Sequence, residues 1–277
     1  FARAQPILVS VCVGLVALPV ILVHKIFPKK VTNGAIGITV NYELSDQIMI
    51  RGGFTYSVVG GADRFSKKED ARLRNLAFET SIAEFSAVGE YYLLNLYDSR
   101  VSPYGFAGLA LFHFNPYAFN GTTQKIFLKP LSTEGQGVAG YPDRKPYKLT
   151  QVAIPFGGGV KFAVTENLRI GVEAGIRKLF TDYLDDVSKT YVSLEKLSVE
   201  NGPKAAEMSF RRIGIPFAEE GSTRGNPPVK DRYFFSGIKL SFSLENNKGK
   251  NKVGAGAVKK EKVKKEGTKK KGKKEKS

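Results

Sequence analysis

The residues best suited to bind or react with a ligand lie in one acidic stretch, residues 181–188 (TDYLDDVS). Asp182, Asp185 and Asp186 place three carboxylates within five residues, and carboxylate oxygens are common ligands of Ca²⁺. The spacing differs from that of an EF-hand loop. We therefore interpret the stretch as a solvated acidic turn or an ion-paired loop anchor, and keep the three aspartates as candidate metal ligands.

Other reactive residue types are scarce in this chain. A single cysteine, Cys12, excludes an internal disulfide and a cysteine cluster, and two histidines, His24 and His113, disfavour a histidine-rich metal site. The glycines at 157–159 precede no helical pattern, so they indicate close strand packing and not phosphate binding. We therefore expect no cofactor and predict that the chain is not an enzyme.

The net charge of +17 resides mostly in the carboxyl-terminal segment. Residues 246–277 hold 14 Lys and 3 Glu, which gives +11 and leaves +6 for the other 245 residues. This segment has almost no apolar side chains with which to offset the entropy of ordering. It is predicted to be a disordered basic tail in the periplasm that binds no nucleic acid.

The first thirty residues, 1–30, differ from the rest of the chain. Ala2-Arg3-Ala4 has the small-x-small form of a signal-peptidase site, which predicts export. Residues 7–23 are almost continuously apolar and reach the ~17-residue lower limit for a membrane helix. A buried or interfacial segment, a residual targeting element and a stretch foreign to the mature protein all remain open interpretations.

From residue 31 onward apolar residues recur with a period of two, which predicts β-strands. A change of parity between Ile82 and Phe85 predicts a β-bulge in the third strand. The fourth strand is predicted to have an apolar face built from Tyr104, Phe106, Gly108, Ala110, Phe112 and Phe114. The seven predicted strands cover residues 36–44, 48–58, 76–93, 104–114, 152–164, 168–176 and 234–244.

These strands predict an all-β fold, an eight-stranded antiparallel transmembrane β-barrel over residues 31–245. Most are as long as the ~9–11 residues of a tilted membrane crossing, and short turns alternate with long polar loops, as in outer-membrane barrels. Bacterial barrels usually have an even strand number, so an eighth strand is expected from residues 6–27. A soluble eight-stranded barrel is the alternative fold.

The polar strand faces are predicted to line the inside of this barrel. Because side chains fill an eight-stranded barrel, solute transport is disfavoured. The mixture of charges indicates a structural network of ion pairs and not a catalytic site. The predicted interior charges are Glu43, Arg51, Glu84, Glu90, Lys161, Arg169, Glu173, Arg177 and Lys239.

Six motifs in a fixed order resemble the PorG-like family of small outer-membrane barrels of the type IX secretion (gliding-motility) system. The motifs are RNLAF (74–78), SPYGFAG (102–108), FHFNP (112–116), LSTEGQG (131–137), IPFG (154–157) and RKLFTDYLDDVS (177–188). The resemblance covers about residues 31–244. It implies an eight-stranded barrel that contacts a periplasmic ring made by PorK and PorN, as well as outer-membrane lipid. Residues 1–30 and the tail lie outside it.

Three functions are therefore considered. The leading one is a non-enzymatic barrel of the type IX secretion apparatus that docks this ring to the outer membrane. The second is a generic small OmpA-like or OmpW-like barrel for envelope integrity or small hydrophobic ligands. The third is a lipid-modifying enzyme, which would need catalytic residues near the loops, where only the three aspartates of residues 181–188 stand out.

Overall fold

The computed structural model describes residues 7–17, 32–120, 124–165, 167–215, 217, 219–225 and 230–244. The predicted disordered tail, 246–277, lies outside the described residues, as do 1–6 and 18–31. Among the described residues, three short α-helices lie in the connections between strands: α1 (Glu69–Arg74), α2 (Leu194–Asn201) and α3 (Pro203–Ser209). The strands are β1 (Ile7–Ala17), β2 (Thr32–Ser45), β3 (Ile48–Ala62), β4 (Ala77–Tyr92), β5 (Val101–Asn120), β6 (Gln124–Phe127), β7 (Thr150–Ala163), β8 (Leu168–Leu179) and β9 (Arg232–Ser243).

Eight of these strands close into an antiparallel barrel. The order β4-β3-β2-β1-β9-β8-β7-β5 is completed by pairing between β4 and β5, while β6 pairs only with β5 outside the ring. The eighth strand expected from the first thirty residues is β1, which joins β2 to β9. No helix in the described part of the chain is long and apolar enough to span a membrane.

Short turns and long connections lie at opposite ends of the barrel. We call the end that carries the short turns the turn side. Ile7 pairs with Tyr42 next to the β2–β3 turn, and Leu8 pairs with Ser243, so β1 begins and β9 ends at the turn side. The opposite end, which we call the loop side, carries the connections 63–76, 128–149 and 180–231. This is the asymmetry of outer-membrane barrels.

The outer face of the barrel is an apolar belt. On β3, Ile48 and Val58 both point outward and are ten residues apart, about 33 Å along the strand and about 25 Å along the membrane normal at a tilt of ~40°. Tyr42 and Tyr91 lie near the turn end of the belt and Tyr56 near its loop end. The fold is therefore that of a transmembrane barrel with its apolar face toward lipid.

The structure changes the prediction for β4. This strand pairs without interruption with β3 and β5, so the predicted bulge between Ile82 and Phe85 is wrong. Even-numbered residues face the interior along most of the strand, and Ile82 is buried there beside Phe112 and Phe114. The parity of the apolar residues changes because the interior is apolar near the loop side and charged further down.

The predicted apolar face of β5 points inward. Tyr104, Phe106 and Phe112 are buried in the barrel, while Leu109 and Leu111 are more than half exposed on the outside. These large rings fill space beside the neighbouring strand β7, whose inward positions 157 and 159 are glycines. A Cβ on the inward Gly159 of β7 would meet the Tyr104 ring at 2.8 Å, which confirms close packing at the triple glycine.

Three layers fill the barrel interior. The loop-side layer is apolar and includes Ile82, Phe112 and Leu179, and the turn-side layer is aromatic and includes Tyr92 and Tyr97. A charged layer lies between them and is described below. On the loop side the long connections pack on one another, with Val138, Val192, Leu197 and Ala205 in one cluster and Ala118, Leu128 and Met208 in another. We call connections 128–149 and 180–231 the loop cap.

Candidate functional site

All nine charged residues predicted for the interior are buried there, none more than 6% exposed. Alternation along the strands turns each of them inward, and the closed ring brings residues of distant strands within reach of one another. Five of them form the central cluster: Arg51, Glu90, Lys161, Glu173 and Lys239.

Arg51 of β3 connects the two carboxylates of the central cluster. Its Nη1 lies 2.7 Å from Glu90 Oε1 on β4 and 2.6 Å from Glu173 Oε2 on the facing β8. Lys239 Nζ is 2.8 Å from the same Glu173 oxygen, and Lys161 Nζ is 3.1 Å from Glu90 Oε2. Three cations thus share two carboxylates. Two of the ion pairs, Arg51–Glu173 and Lys161–Glu90, cross the interior between strands that are not adjacent.

Tyrosines complete the hydrogen bonding of the cluster. The Tyr104 hydroxyl donates to Glu173 Oε2 at 2.8 Å. The Tyr92 hydroxyl donates to Glu90 and accepts from Lys161. A buried ion pair is tolerated when its remaining hydrogen-bonding atoms find partners, and these hydroxyls are such partners.

The remaining predicted interior charges form smaller groups at the two ends. Toward the loop side, Arg177 Nη2 lies 3.3 Å from Glu84 Oε1, and the Tyr233 hydroxyl donates to Glu84 Oε2 at 2.7 Å. Toward the turn side, Tyr97 donates to Glu43, and the Arg169 guanidinium lies 5.0 Å from the Tyr97 ring. Arg177 and Glu84 thus form an ion pair, whereas Glu43 and Arg169 both contact Tyr97.

The loop cap has its own buried ion pair. Glu134 is fully buried and accepts hydrogen bonds from the backbone N–H groups of Ser188 and Lys189, at 2.9 and 3.0 Å. Arg224 Nη1 lies 2.9 Å from Glu134 Oε1 and donates to the Asp186 carbonyl oxygen at 2.7 Å. One carboxylate therefore joins both connections of the cap.

The three candidate metal ligands have separate partners in the cap. Asp182 accepts from Ser188 Oγ at 2.8 Å, and Asp185 accepts from the Val187 N–H at 3.0 Å. Asp186 accepts from Thr133 Oγ1 at 2.5 Å and from the Tyr147 hydroxyl at 2.7 Å. Within the described ranges, no three Asp, Glu, His or Cys side chains are arranged to hold a metal ion. The geometry is that of a loop anchor.

Burial alters the acidity of this anchor. Burial raises the pKa of Asp182 to about 6, although the hydrogen bond from the Ser188 hydroxyl opposes this shift. It also raises the pKa of Asp186 to about 6, and there the Arg224 guanidinium opposes the shift. Burial raises the pKa of Asp231 to about 7, opposed by the hydrogen bond from the Leu184 N–H. The cap therefore holds carboxyl groups that change charge between about pH 5 and 8.

Sequence reasoning missed Glu134, Arg224 and Asp231 as site residues. Glu134 lies within the LSTEGQG motif, which was a usable signal, but Arg224 and Asp231 belong to a long loop without periodicity. Of the two histidines, His113 lies within the described residues. It points out of the barrel, and its Nδ1 lies 3.0 Å from Thr150 Oγ1.

Comparison with protein families assigns the chain. Residues 22–205 match the model of a domain of unknown function, DUF6089, which covers most of the barrel and the first part of the cap. The chain belongs to the DUF6089 family. The matched region of this DUF6089 protein contains all six motifs described above. A search among curated proteins gives no match.

Several solved outer-membrane proteins are similar to this DUF6089 chain in structure. A major outer membrane protein of Thermus thermophilus has 9% identity and a TM-score of 0.44, covering 87% of this chain and 100% of that one. Ail of Yersinia pestis, solved with the heparin analogue sucrose octasulfate, has 10% identity and a TM-score of 0.40, covering 87% and 100%. Neisserial surface protein A has 10% identity and a TM-score of 0.39, covering 86% and 96%.

Proposed function

We propose that this DUF6089 protein is a non-enzymatic outer-membrane barrel of the type IX protein secretion apparatus that docks a periplasmic ring similar to that of PorK and PorN. The role derives from the motif resemblance. The fold is compatible with it, because a filled eight-stranded barrel is a membrane anchor and not a solute pore.

The observation that carries the proposal is that three of the six motifs of the resemblance meet in space. Glu134 of LSTEGQG bonds to the backbone of Ser188, the last residue of RKLFTDYLDDVS. Arg74 of RNLAF donates to the carbonyl oxygen of Arg224, which itself pairs with Glu134. These three motifs, which are separated in sequence, are thus connected on the loop side, as expected if they were inherited together as a structural unit.

The ring would contact the turn side of the barrel. Short turns face the periplasm in outer-membrane barrels, and β1 and β9 reach the same side. Asp98 and Arg100 are exposed in the connection between β4 and β5 at this end. They offer charges to a periplasmic partner without contributing to the barrel core.

The test is affinity purification of the tagged full chain from native membranes in mild detergent. Recovery of the PorK and PorN ring components supports the proposal. The double variant Asp98→Lys/Arg100→Glu is expected to reduce that recovery, whereas the loop-side control Asp143→Lys/Lys145→Glu leaves it unchanged. Isolation of the barrel alone would instead favour the generic OmpA-like or OmpW-like role, which the same fold allows.

A further inference from the structure

An apolar surface is exposed on the loop side, outside the lipid-facing belt. Ile213, Ile215 and Phe217 are 60%, 44% and 67% exposed in the connection after α3, and Phe65 is 38% exposed in the connection before α1. Lipid contact explains the exposed apolar residues of the strands, but these four lie on connections. Clustered exposed apolar side chains beyond the belt indicate an interaction surface.

The two connections form one continuous surface. The Ile213 N–H donates to the Leu73 carbonyl oxygen at 3.0 Å, and Asn75 Nδ2 donates to the Arg211 carbonyl oxygen at 3.4 Å. Arg74 Nε is paired with Asp63 at 2.7 Å beneath it. We call residues 63–74, 211–215 and Phe217 the tip surface.

The tip surface is strongly basic. Its two segments hold seven Arg and Lys residues against three Asp and Glu, a surplus of four positive charges. The pairing of Arg74 with Asp63 leaves the surplus on other residues, and Arg64, Lys67 and Lys68 are exposed. Exposed cations interleaved with exposed apolar side chains complement a partner that carries carboxylates and apolar groups together.

The position of the tip surface argues against the bilayer as its partner. Val58 is the last apolar residue of the belt on β3, and β3 continues to Ala62, four residues or about 13 Å further along the strand. At a tilt of ~40° this rise is about 10 Å, slightly more than the Debye length of ~8 Å at physiological salt. Salt therefore weakens the effect of headgroup charges at this height.

We propose that the tip surface binds an acidic segment of a partner protein on the loop side, with the partner's carboxylates on the lysines of residues 67–68 and its apolar side chains against Ile213 and Phe217. A sulfated or phosphorylated polysaccharide would use the cations and leave the apolar residues exposed. This inference does not depend on ring docking, because the two surfaces lie at opposite ends of the barrel.

The experiment uses the full chain in lipid nanodiscs and a photoreactive synthetic peptide that alternates Glu with Phe and Leu. Cross-linked sites are read by mass spectrometry, which separates binding at the tip from binding at the lysine-rich tail. Phe217→Ser is expected to weaken binding at the tip about fivefold or more, as expected for loss of an aromatic anchor. Lys67→Gln/Lys68→Gln is expected to weaken it and to reduce its salt dependence.

Matched controls lie elsewhere on the loop side. Val199→Ser removes a more exposed apolar side chain, 86% exposed, and Lys145→Gln removes an exposed cation, and neither should change binding. Heat-modifiable migration in gels verifies that every variant is folded. The proposal is overturned if the tip variants bind as the parent does, if polyglutamate binds the tip as tightly as the Phe-containing peptide, or if only phosphatidylglycerol vesicles contact the tip.

Discussion

In the barrel interior, Arg51, Lys161 and Lys239 surround two carboxylates, whereas in the loop cap Arg224 is the cation within bonding distance of Glu134. The interior thus has more cations than anions at its centre, and its tyrosines bond to the carboxylates. The cap has more carboxyl groups than cations around its ion pair, and burial raises the pKa of several of them.

The two regions therefore differ in how a buried charge responds when its partner is removed. The interior ion pairs link strands that are held by a closed ring of hydrogen bonds. Removing one partner of such a pair therefore leaves a buried charge that cannot reach water. The cap can open locally, so its groups can be rehydrated or change protonation instead. Substitutions should therefore act globally in the first region and locally in the second.

The largest effect is expected for Glu173→Ala in the interior. The change removes the close partner of Lys239 and leaves three buried cations with Glu90 as the one carboxylate of the central cluster, and breaking a buried ion pair typically costs about 3–5 kcal/mol of the free energy of unfolding. Urea unfolding in lipid vesicles, followed by heat-modifiable migration, measures it. The exposed Glu195→Ala on α2 serves as the control, and equal stability of the two variants would contradict a structural role for the network.

The next effect distinguishes the surface facing lipid from the surface facing water. Val172→Arg on β8 places a charge on the outer belt, at the middle one of the five outward residues from Leu168 to Ile176, and is expected to cost about 2–4 kcal/mol near the bilayer midplane. Val199→Arg makes the same type of change at an exposed position of the cap and is expected to stay within about 0.5 kcal/mol. The same unfolding titration in vesicles compares them. Equal tolerance of both changes would mean that the strand face does not meet lipid.

A smaller and local effect is expected for Arg224→Met. It leaves Glu134 with only its two backbone donors and removes the bond to the Asp186 carbonyl, at a cost of about 1–3 kcal/mol. Amide hydrogen exchange should accelerate in residues 180–225 and not in the strands, and heat modifiability should persist. The exposed Lys145→Met is the control. Loss of the folded barrel in the Arg224 variant would show that the cap and the barrel form one cooperative unit.

The smallest effect is a dependence on pH. An aspartate whose folded pKa exceeds the ordinary 3.8 stabilises the cap below about pH 4, and this contribution is lost as the pH rises through 6 to 7. Cap amides, corrected for intrinsic exchange, should therefore be better protected at pH 5 than at pH 8. Asp231→Asn should reduce this difference. Weaker protection of the cap amides at pH 5 than at pH 8 would contradict a stabilising role for the protonated carboxyl groups.

The barrel could be predicted from the sequence where one face is apolar and the other polar. β2, β8 and β9 meet this condition, because lipid outside and ion pairs inside select opposite residue types on alternate positions. The interior charges followed from the same alternation. β4 and β5 do not meet it, since Ile82, Phe112 and Phe114 are apolar and face inward, so polarity no longer distinguishes the inside from the outside.

The cap could be predicted only in part. The acidic stretch 181–188 stood out because its carboxylates are close in sequence, and it was predicted to be a solvated turn or an ion-paired loop anchor. The burial of Asp182 and Asp186 contradicts the solvated turn. The partners of this stretch did not stand out, since the contact between Glu134 and Arg224 joins residues in separate connections that have no periodic pattern. The strand β6 was likewise hidden in a loop of mixed composition, because four residues are too few to establish a period.

The joint between β1 and β9 has a consequence for how the chain folds. Val9 pairs with Phe242, so these partners lie more than 200 residues apart in sequence. Most other strand pairings of the barrel connect strands that follow one another in the chain. Closing so long a loop carries the largest entropic cost, and contacts of this separation slow folding. Until β1 pairs with β9, these two strands present open edges on which a second chain can pair. The period before closure is therefore when this barrel is most prone to aggregation, and a chaperone that covers those two edges would protect it.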